Sequence, residues 1–185
     1  MASEVDICNL ALQRLGAKSI SSLTEDSTRA RECNRVYTHA RDTEMRSHPW
    51  NFARARASLA ASTTVPAFGP AFQYPLPADF LRLLPSRDQG TLQIEGGNIL
   101  TSDTAPLEII YIRRVTDPNA FDQGFVDLLA ARIARDIAEK VTQANNKIQA
   151  AQAAYKEAKA DARKVNAFES PSQEPPVDTW ITARL

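Results

Sequence analysis

Two thiols, two imidazoles and a run of guanidinium groups are the side chains in this 185-residue sequence best equipped for chemistry. A metal site would have to draw on His39, His48, Cys8, Cys33 and carboxylates. The two histidines stand nine apart rather than at the i, i+4 spacing of a helical ligand pair, and no H-x-x-x-H or C-x-x-C occurs. Cys33 and His39 could form a nucleophile pair. Cys33, however, falls on the apolar stripe of a helix, and free cysteine is among the most buried residue types, so a structural thiol is the favoured reading. There is no G-x-S-x-G, no phosphate-binding P-loop and no G-x-G-x-x-G. The carboxylate pair Glu25-Asp26 stands where a helix should begin, which suits the positive end of a helix dipole better than acid–base work. Few groups that could converge for catalysis are present, and the expectation is a chain that carries no metal or cofactor.

The guanidinium run is the strongest binding feature. Seven arginines and three acids, Glu32, Asp42 and Glu44, lie between Arg29 and Arg56. Arg29, Arg31, Arg35 and Arg41 could meet phosphates, line a channel or face a neighbouring subunit. Alternatively they form a solvated face paired with those acids. The whole chain balances 22 Lys+Arg against 22 Asp+Glu, without the net basic surplus usual in nucleic-acid binders. No uncharged apolar run approaches the ~20 residues of a membrane helix. The start, Met-Ala-Ser-Glu-Val-Asp, is acidic where a signal peptide is basic. Two cysteines are too few for a disulfide framework, so the expectation is a soluble chain folding in a reducing compartment, with no membrane partner.

The elements that must position these groups follow from proline and periodicity. Prolines are missing from Met1 to His48 and from Asn119 to Ser170, so long helices can run there. Val5, Cys8, Leu12 and Leu15 share one face of a helix over 4–15, capped by Ser3 and closed by Gly16. A second helix over 25–47 carries the thin stripe Ala30, Cys33, Tyr37 and Ala40. A third over 121–142 presents Phe125, Leu129, Ile133 and Ile137. After the break Gln143–Asn146, a fourth over 147–168 presents a mostly alanine seam of Ile148, Ala151, Tyr155, Ala158, Ala162 and Val165.

Between them, residues 54–116 change period. Phe80–Leu84, Thr91–Glu95, Asn98–Thr101 and Leu107–Ile112 read as short strands, with Gly96-Gly97 as a two-residue hairpin turn. The fold class expected is α+β and mainly α. A bundle of about four helices over a single domain, 1–170, carries one inserted antiparallel β lobe with a wet face. Trp50 and Phe52 should seal the helix–sheet junction. Residues 171–185 form an extended arm ending in Trp180, Ile181, Arg184 and Leu185, side chains typical of interface anchors.

The stretch Ile7 to Ala17, followed by Ile20 to Leu23, Ala30 to Tyr37 and the pair Arg41-Asp42, is similar to the opening of tailed-phage head-to-tail adaptors. His48-Pro49-Trp50-Asn51-Phe52-Ala53 and Tyr74-Pro75-Leu76-Pro77-Ala78-Asp79-Phe80-Leu81-Arg82 resemble two further blocks of that family, in the same order. The family includes the podovirus tail tubular proteins of type A. The likeness is strongest over 5–83; beyond residue 100 only the general layout corresponds. It implies a structural virion protein of the neck that is not an enzyme, assembled in the host bacterial cytoplasm into a twelve-subunit ring. The implied partners are the portal protein, a nozzle or tail-tube protein, further copies of the chain, and genomic DNA passing through the lumen without sequence-specific contacts. On that resemblance Trp180, Ile181, Arg184 and Leu185 become candidate portal contacts. The other class of function left open is a DNA-binding or packaging factor using the Arg29–Arg56 run.

Overall fold

The computed structural model describes residues 3–85 and 90–169. Its architecture is α+β and mainly helical, with four helices and two small antiparallel sheets. Helix α1 spans Glu4–Leu15. Ser3 and Asp6 close a reciprocal capping box at its start, and Gly16 ends it at φ 71°, a conformation glycine adopts without a Cβ penalty. Helix α2 (Thr28–Ser47) begins three residues later than the sequence suggests. The Glu25 carboxylate is engaged by the Ser21 amide at 2.8 Å and the Ser27 hydroxyl at 2.8 Å, which holds a turn and leaves Ser27 as the cap. Helix α3 (Gln123–Thr142) starts after Asp122, whose carboxylate accepts from the Gly124 and Phe125 amides, so Phe121 stays outside it. Gln143 turns at φ 50°, and α4 (Asn145–Phe168) follows two residues sooner than expected.

Helix α3 is the axis of the helical body and packs on α1, α2 and α4. Its buried side chains run from Phe125 through Leu128, Leu129, Ile133 and Ile137, too wide a set for a single stripe. The expected stripe of α2 is buried, as are Cys8, Leu12 and Leu15 of α1. The α4 seam departs at its end. Ala151, Tyr155 and Ala162 are buried, but Val165 is 47% exposed and Asn166 takes the inward position. Asn166 Oδ1 accepts from the Asn51 amide at 2.9 Å, and its carbonyl oxygen accepts from the Asn51 side chain at 3.0 Å. Those bonds outweigh the hydrophobic preference of the neighbouring valine.

The expected single β lobe is two sheets. Strands β1 (Arg54–Leu59), β3 (Phe80–Leu84) and β6 (Leu107–Arg113) form one, in the order β1-β6-β3. Strands β2 (Phe72–Pro75), β4 (Gln93–Glu95) and β5 (Asn98–Thr101) form the other, in the order β2-β5-β4. Gly96 and Gly97 make the β4–β5 turn at φ 55° and 81°, as a primed turn requires. Alternation along β6 explains the layering. Ile110 and Ile112 join the helical core together with Leu84, while Leu107, Ile109 and Tyr111 pack with Tyr74 and Ile99 of the second sheet. The first sheet is thus covered on both faces, by helices and by the second sheet.

The corner joining α2 to β1 is aromatic, as expected. Trp50 is fully buried, with ring centroids 4.7 Å from His48 and 5.3 Å from Phe125, and Phe52 lies 5.0 Å from Phe125. No helix among the described residues is long and apolar enough to cross a membrane. Trp50→Ala should lower the unfolding free energy by about 3–5 kcal/mol, the usual cost of deleting a large buried aromatic, read from urea denaturation.

Candidate functional site

The Arg29–Arg56 run does not form one free cationic face. Arg31 pairs with Asp26 at 2.7 Å, and Arg35 pairs with Glu32 one turn away. Arg41 corrects the expectation outright. It is 5% exposed and its Nε donates to Asp42 at 2.8 Å, because position 41 adjoins the buried stripe rather than the outer face. Asp42 also accepts from Arg114 at 2.8 Å, tying α2 to the chain just beyond β6. Arg29 is half-buried, with an Nε that meets no acceptor among the described residues. Two of the expected acids, Glu32 and Asp42, do pair within the run. The third goes elsewhere.

Glu44 points inward from α2 and is fully buried where α2, α3 and α4 meet. Its Oε1 accepts from Arg132 Nη1 at 2.6 Å and from the Tyr155 hydroxyl at 2.6 Å. Its Oε2 lies 3.3 Å from Lys159 Nζ and accepts from Ser47 Oγ at 3.3 Å. Burial pushes this carboxyl upward, but the Tyr155 hydrogen bond and the charges of Lys159 and Arg132 together hold it below its ordinary 4.5. A second layer supports these donors. Asp136 accepts from Arg132 Nε at 2.8 Å and from Arg135 Nη2 at 2.6 Å, and the Arg135 guanidinium lies 4.4 Å from the centre of the Tyr155 ring. The Trp50 indole N–H donates to the Glu44 carbonyl oxygen at 2.9 Å, linking this cluster to the aromatic corner.

Chemically, the cluster is a lock. The carboxylate has no exposed surface, and its oxygens are already engaged by Arg132, Tyr155 and Lys159 of its own fold, so no substrate can approach it. The surface clefts lie elsewhere. One of about 590 Å³ runs along β1 and β6 beside Arg56, Ser58 and Glu108. Another of about 370 Å³ lies between α1, α3 and α4 beside Arg14, Asp127 and Asp161.

The other candidates are not brought together. Cys33 is fully buried, whereas His39 is exposed on the same helix, so the two do not form a nucleophile pair. Cys33 instead meets Cys8 of α1. Their mutual hydrogen bond raises the Cys8 thiol above its ordinary value and lowers that of Cys33, but both side chains are fully buried, out of reach of a substrate. His48 bonds to Asn166 at 3.2 Å in the aromatic corner. Among the described residues, no group of three or more His, Cys, Asp or Glu side chains is placed to hold a metal ion. Trp180, Ile181, Arg184 and Leu185 lie outside the described residues. No family model matches the chain, and no curated protein matches it.

Sequence reasoning placed Glu44 among surface acids, yet a signal was present. Ala30, Cys33, Tyr37, Ala40 and Glu44 continue one 3-4-3-4 spacing, so the stripe itself points Glu44 inward.

Glu44→Gln should destabilise the fold by about 3 kcal/mol, near the lower end for breaking a buried pair because Arg132 keeps Asp136. Glu44 titrates below its unfolded value. Its contribution is therefore complete above about pH 4.5 and is lost as pH falls through the lower folded value. Urea denaturation across a pH series should show a shallower acid slope in the glutamine variant than in the parent.

Proposed function

We propose that the protein is a structural subunit of a tailed-phage neck, a head-to-tail adaptor working by shape and by surfaces shared with identical copies. In this reading several copies, twelve by resemblance, close a ring beneath the portal. The ring extends the DNA channel and supports the nozzle or tail tube. A side-to-side contact between different faces of each copy would generate such a ring. The protein would then reside in the virion, at the neck.

The observation that carries this reading is where the two resembling blocks fall. In His48–Ala53, Trp50 fills the corner and Asn51 is bonded twice to Asn166 of α4, so the block fastens the helical body at its junction with the sheets. In Tyr74–Arg82, the buried Tyr74 donates to the Asp103 carbonyl at 2.8 Å. Asp79 accepts from the Tyr111 hydroxyl at 3.0 Å, and Arg82 donates to the Arg46 carbonyl at 3.4 Å. The first block thus joins the helices to the sheets, while the second braces the β lobe from within and reaches α2 through Leu81 and Arg82, positions where a shared architecture would constrain sequence.

The DNA-binding alternative through Arg29, Arg31, Arg35 and Arg41 is weakened by the pairing of Arg31 and Arg35 and the burial of Arg41. Purified protein mixed with cognate portal rings should decorate one face of each portal with a coaxial ring in electron micrographs. Bare portals at saturating protein would refute the adaptor reading. Removing residues 172–185 should leave urea unfolding cooperative while weakening portal binding; unchanged affinity would exclude a docking role for the arm.

A further inference from the structure

Arginines of this protein commonly meet carboxylate. Arg14, Arg31, Arg35, Arg41, Arg114, Arg132 and Arg135 each have an acidic partner. Of the seven that have none among the described residues, four, Arg46, Arg54, Arg82 and Arg163, lie around the C-terminal end of α2; Arg29, Arg56 and Arg113 are the others. Arg54 on β1 and Arg82 on β3 both stand opposite Ile112 of β6, so they flank it at the two exposed edges of the sheet, on the side that packs on the helical body. Two strand spacings separate their backbones by about 10 Å. Arg46, in the last turn of α2, donates to the Leu81 carbonyl, and its own carbonyl accepts from Arg82 at 3.4 Å. Arg163 lies on α4 one turn before Asn166, the residue bonded to His48. Its Nε is buried without a hydrogen-bond partner among the described residues. Burial first, then the positive charges of Arg163, Arg82 and Lys159, depresses the pKa of His48. Lys159 is engaged by Glu44, which leaves the arginines unneutralised.

Like charges gathered this way repel one another, and an anion relieves them. Guanidinium forks suit phosphate oxygens in particular. A single small anion would engage one or two of the four. Charges spread over two outer strands and two helices fit a polyanion whose charges repeat every ~1.7 Å of axis, as in duplex DNA. A lipid surface fits less well. The neighbouring large apolar groups, Trp50 and Ile112, are fully buried, and Val165 and Phe168 project from the other side of α4 from Arg163, so nothing beside the patch enters an acyl layer.

We propose that Arg46, Arg54, Arg82 and Arg163 form a contact surface for the phosphate backbone of duplex DNA. This deepens the adaptor reading by naming the residues that meet the DNA, and its test needs neither portal nor ring. Failure here with decorated portals removes only the arginine assignment, while bare portals with DNA contact intact remove only the ring.

The test is nuclear magnetic resonance of the full, isotopically labelled chain, following arginine Nε–H signals during titration with a short DNA duplex at about 50 mM salt. Signals of Arg54, Arg82 and Arg163 should move while those of Arg31 and Arg35 stay. The triple substitution Arg54→Gln, Arg82→Gln, Arg163→Gln should reduce the slope of log affinity against log salt by about 0.9 for each phosphate no longer neutralised. Replacing the same three with lysine should restore most of the slope, which separates charge from folding. Signals that stay still at low salt would overturn the proposal, as would movement confined to Arg31 and Arg35. An equal response to inorganic phosphate at matched phosphate concentration would do so too, by showing a single-anion site. Stronger binding to anionic lipid vesicles than to the duplex would assign the patch to a membrane surface and equally overturn it.

Discussion

A carboxylate with no exposed surface at the meeting of three helices is the constraint around which the rest of the body is arranged. Removing Glu44 from water carries a penalty of several kcal/mol, and only charged or strongly polar partners at short range offset it. Those partners come from far along the chain: Arg132 is 88 positions away and Tyr155 is 111. Buried ion pairs rarely stabilise more than apolar packing of the same volume. What this one does is geometric. Sliding α4 by one residue shifts Tyr155 and Lys159 by about 1.5 Å and turns them by about 100°, leaving Glu44 with Arg132 and Ser47 alone. An alanine-rich seam such as that of α4 tolerates several registers on apolar packing alone, so the polar cluster selects among them.

The same constraint reaches the sheets. Trp50 donates to the carbonyl oxygen of Glu44, so the residue that locks three helices also fixes the first large side chain after α2. From there Asn51 is bonded to Asn166 and β1 begins at Arg54. The path from buried charge to aromatic corner to strand is continuous within eleven residues of sequence. The β lobe is therefore held at a set angle on the helical body instead of hanging from a linker. On the adaptor reading this matters mechanically, because a ring subunit transmits load between portal and tail only if its two parts move together.

Much of this was legible because it is local. The Ser3–Asp6 capping box, the glycine turn at 96–97 and the 3-4 stripes are patterns within a few residues, and the structure contains them except at the end of the α4 seam. What sequence concealed depends on distant partners or on weak propensity. Strand β1, Arg-Ala-Arg-Ala-Ser-Leu, holds no β-branched residue and is extended because β6 pairs with it over its whole length. Strand β2 ends in proline and pairs only with β5, which an edge position permits. Asn166 displaced Val165 from the seam because Asn51 supplied bonds that no hydrophobic periodicity encodes. Glu44 looked like a surface acid because it sits in an arginine-rich helix, although the stripe it completes faces the core.

Net charge misled in a related way. A balance of 22 against 22 suggests a surface without electrostatic character. Yet acids enter the interior or pair along α2 and α3, so the balance is struck locally and not over the surface. Glu44 is buried, Asp42 and Asp136 each serve two arginines, and Arg46, Arg54, Arg82 and Arg163 are left without acidic counterparts among the described residues. Exposed acids Glu157 and Asp161 border the cleft between α1, α3 and α4 and have no ion pair among the described residues. Separation of this kind is invisible to composition and follows only from which acids the core consumes. It gives a formally neutral chain one basic region and one acidic cleft. Because such exposed charges act over about a Debye length of 10 Å at 0.1 M salt, each region meets its surroundings on its own terms and not as part of a neutral whole.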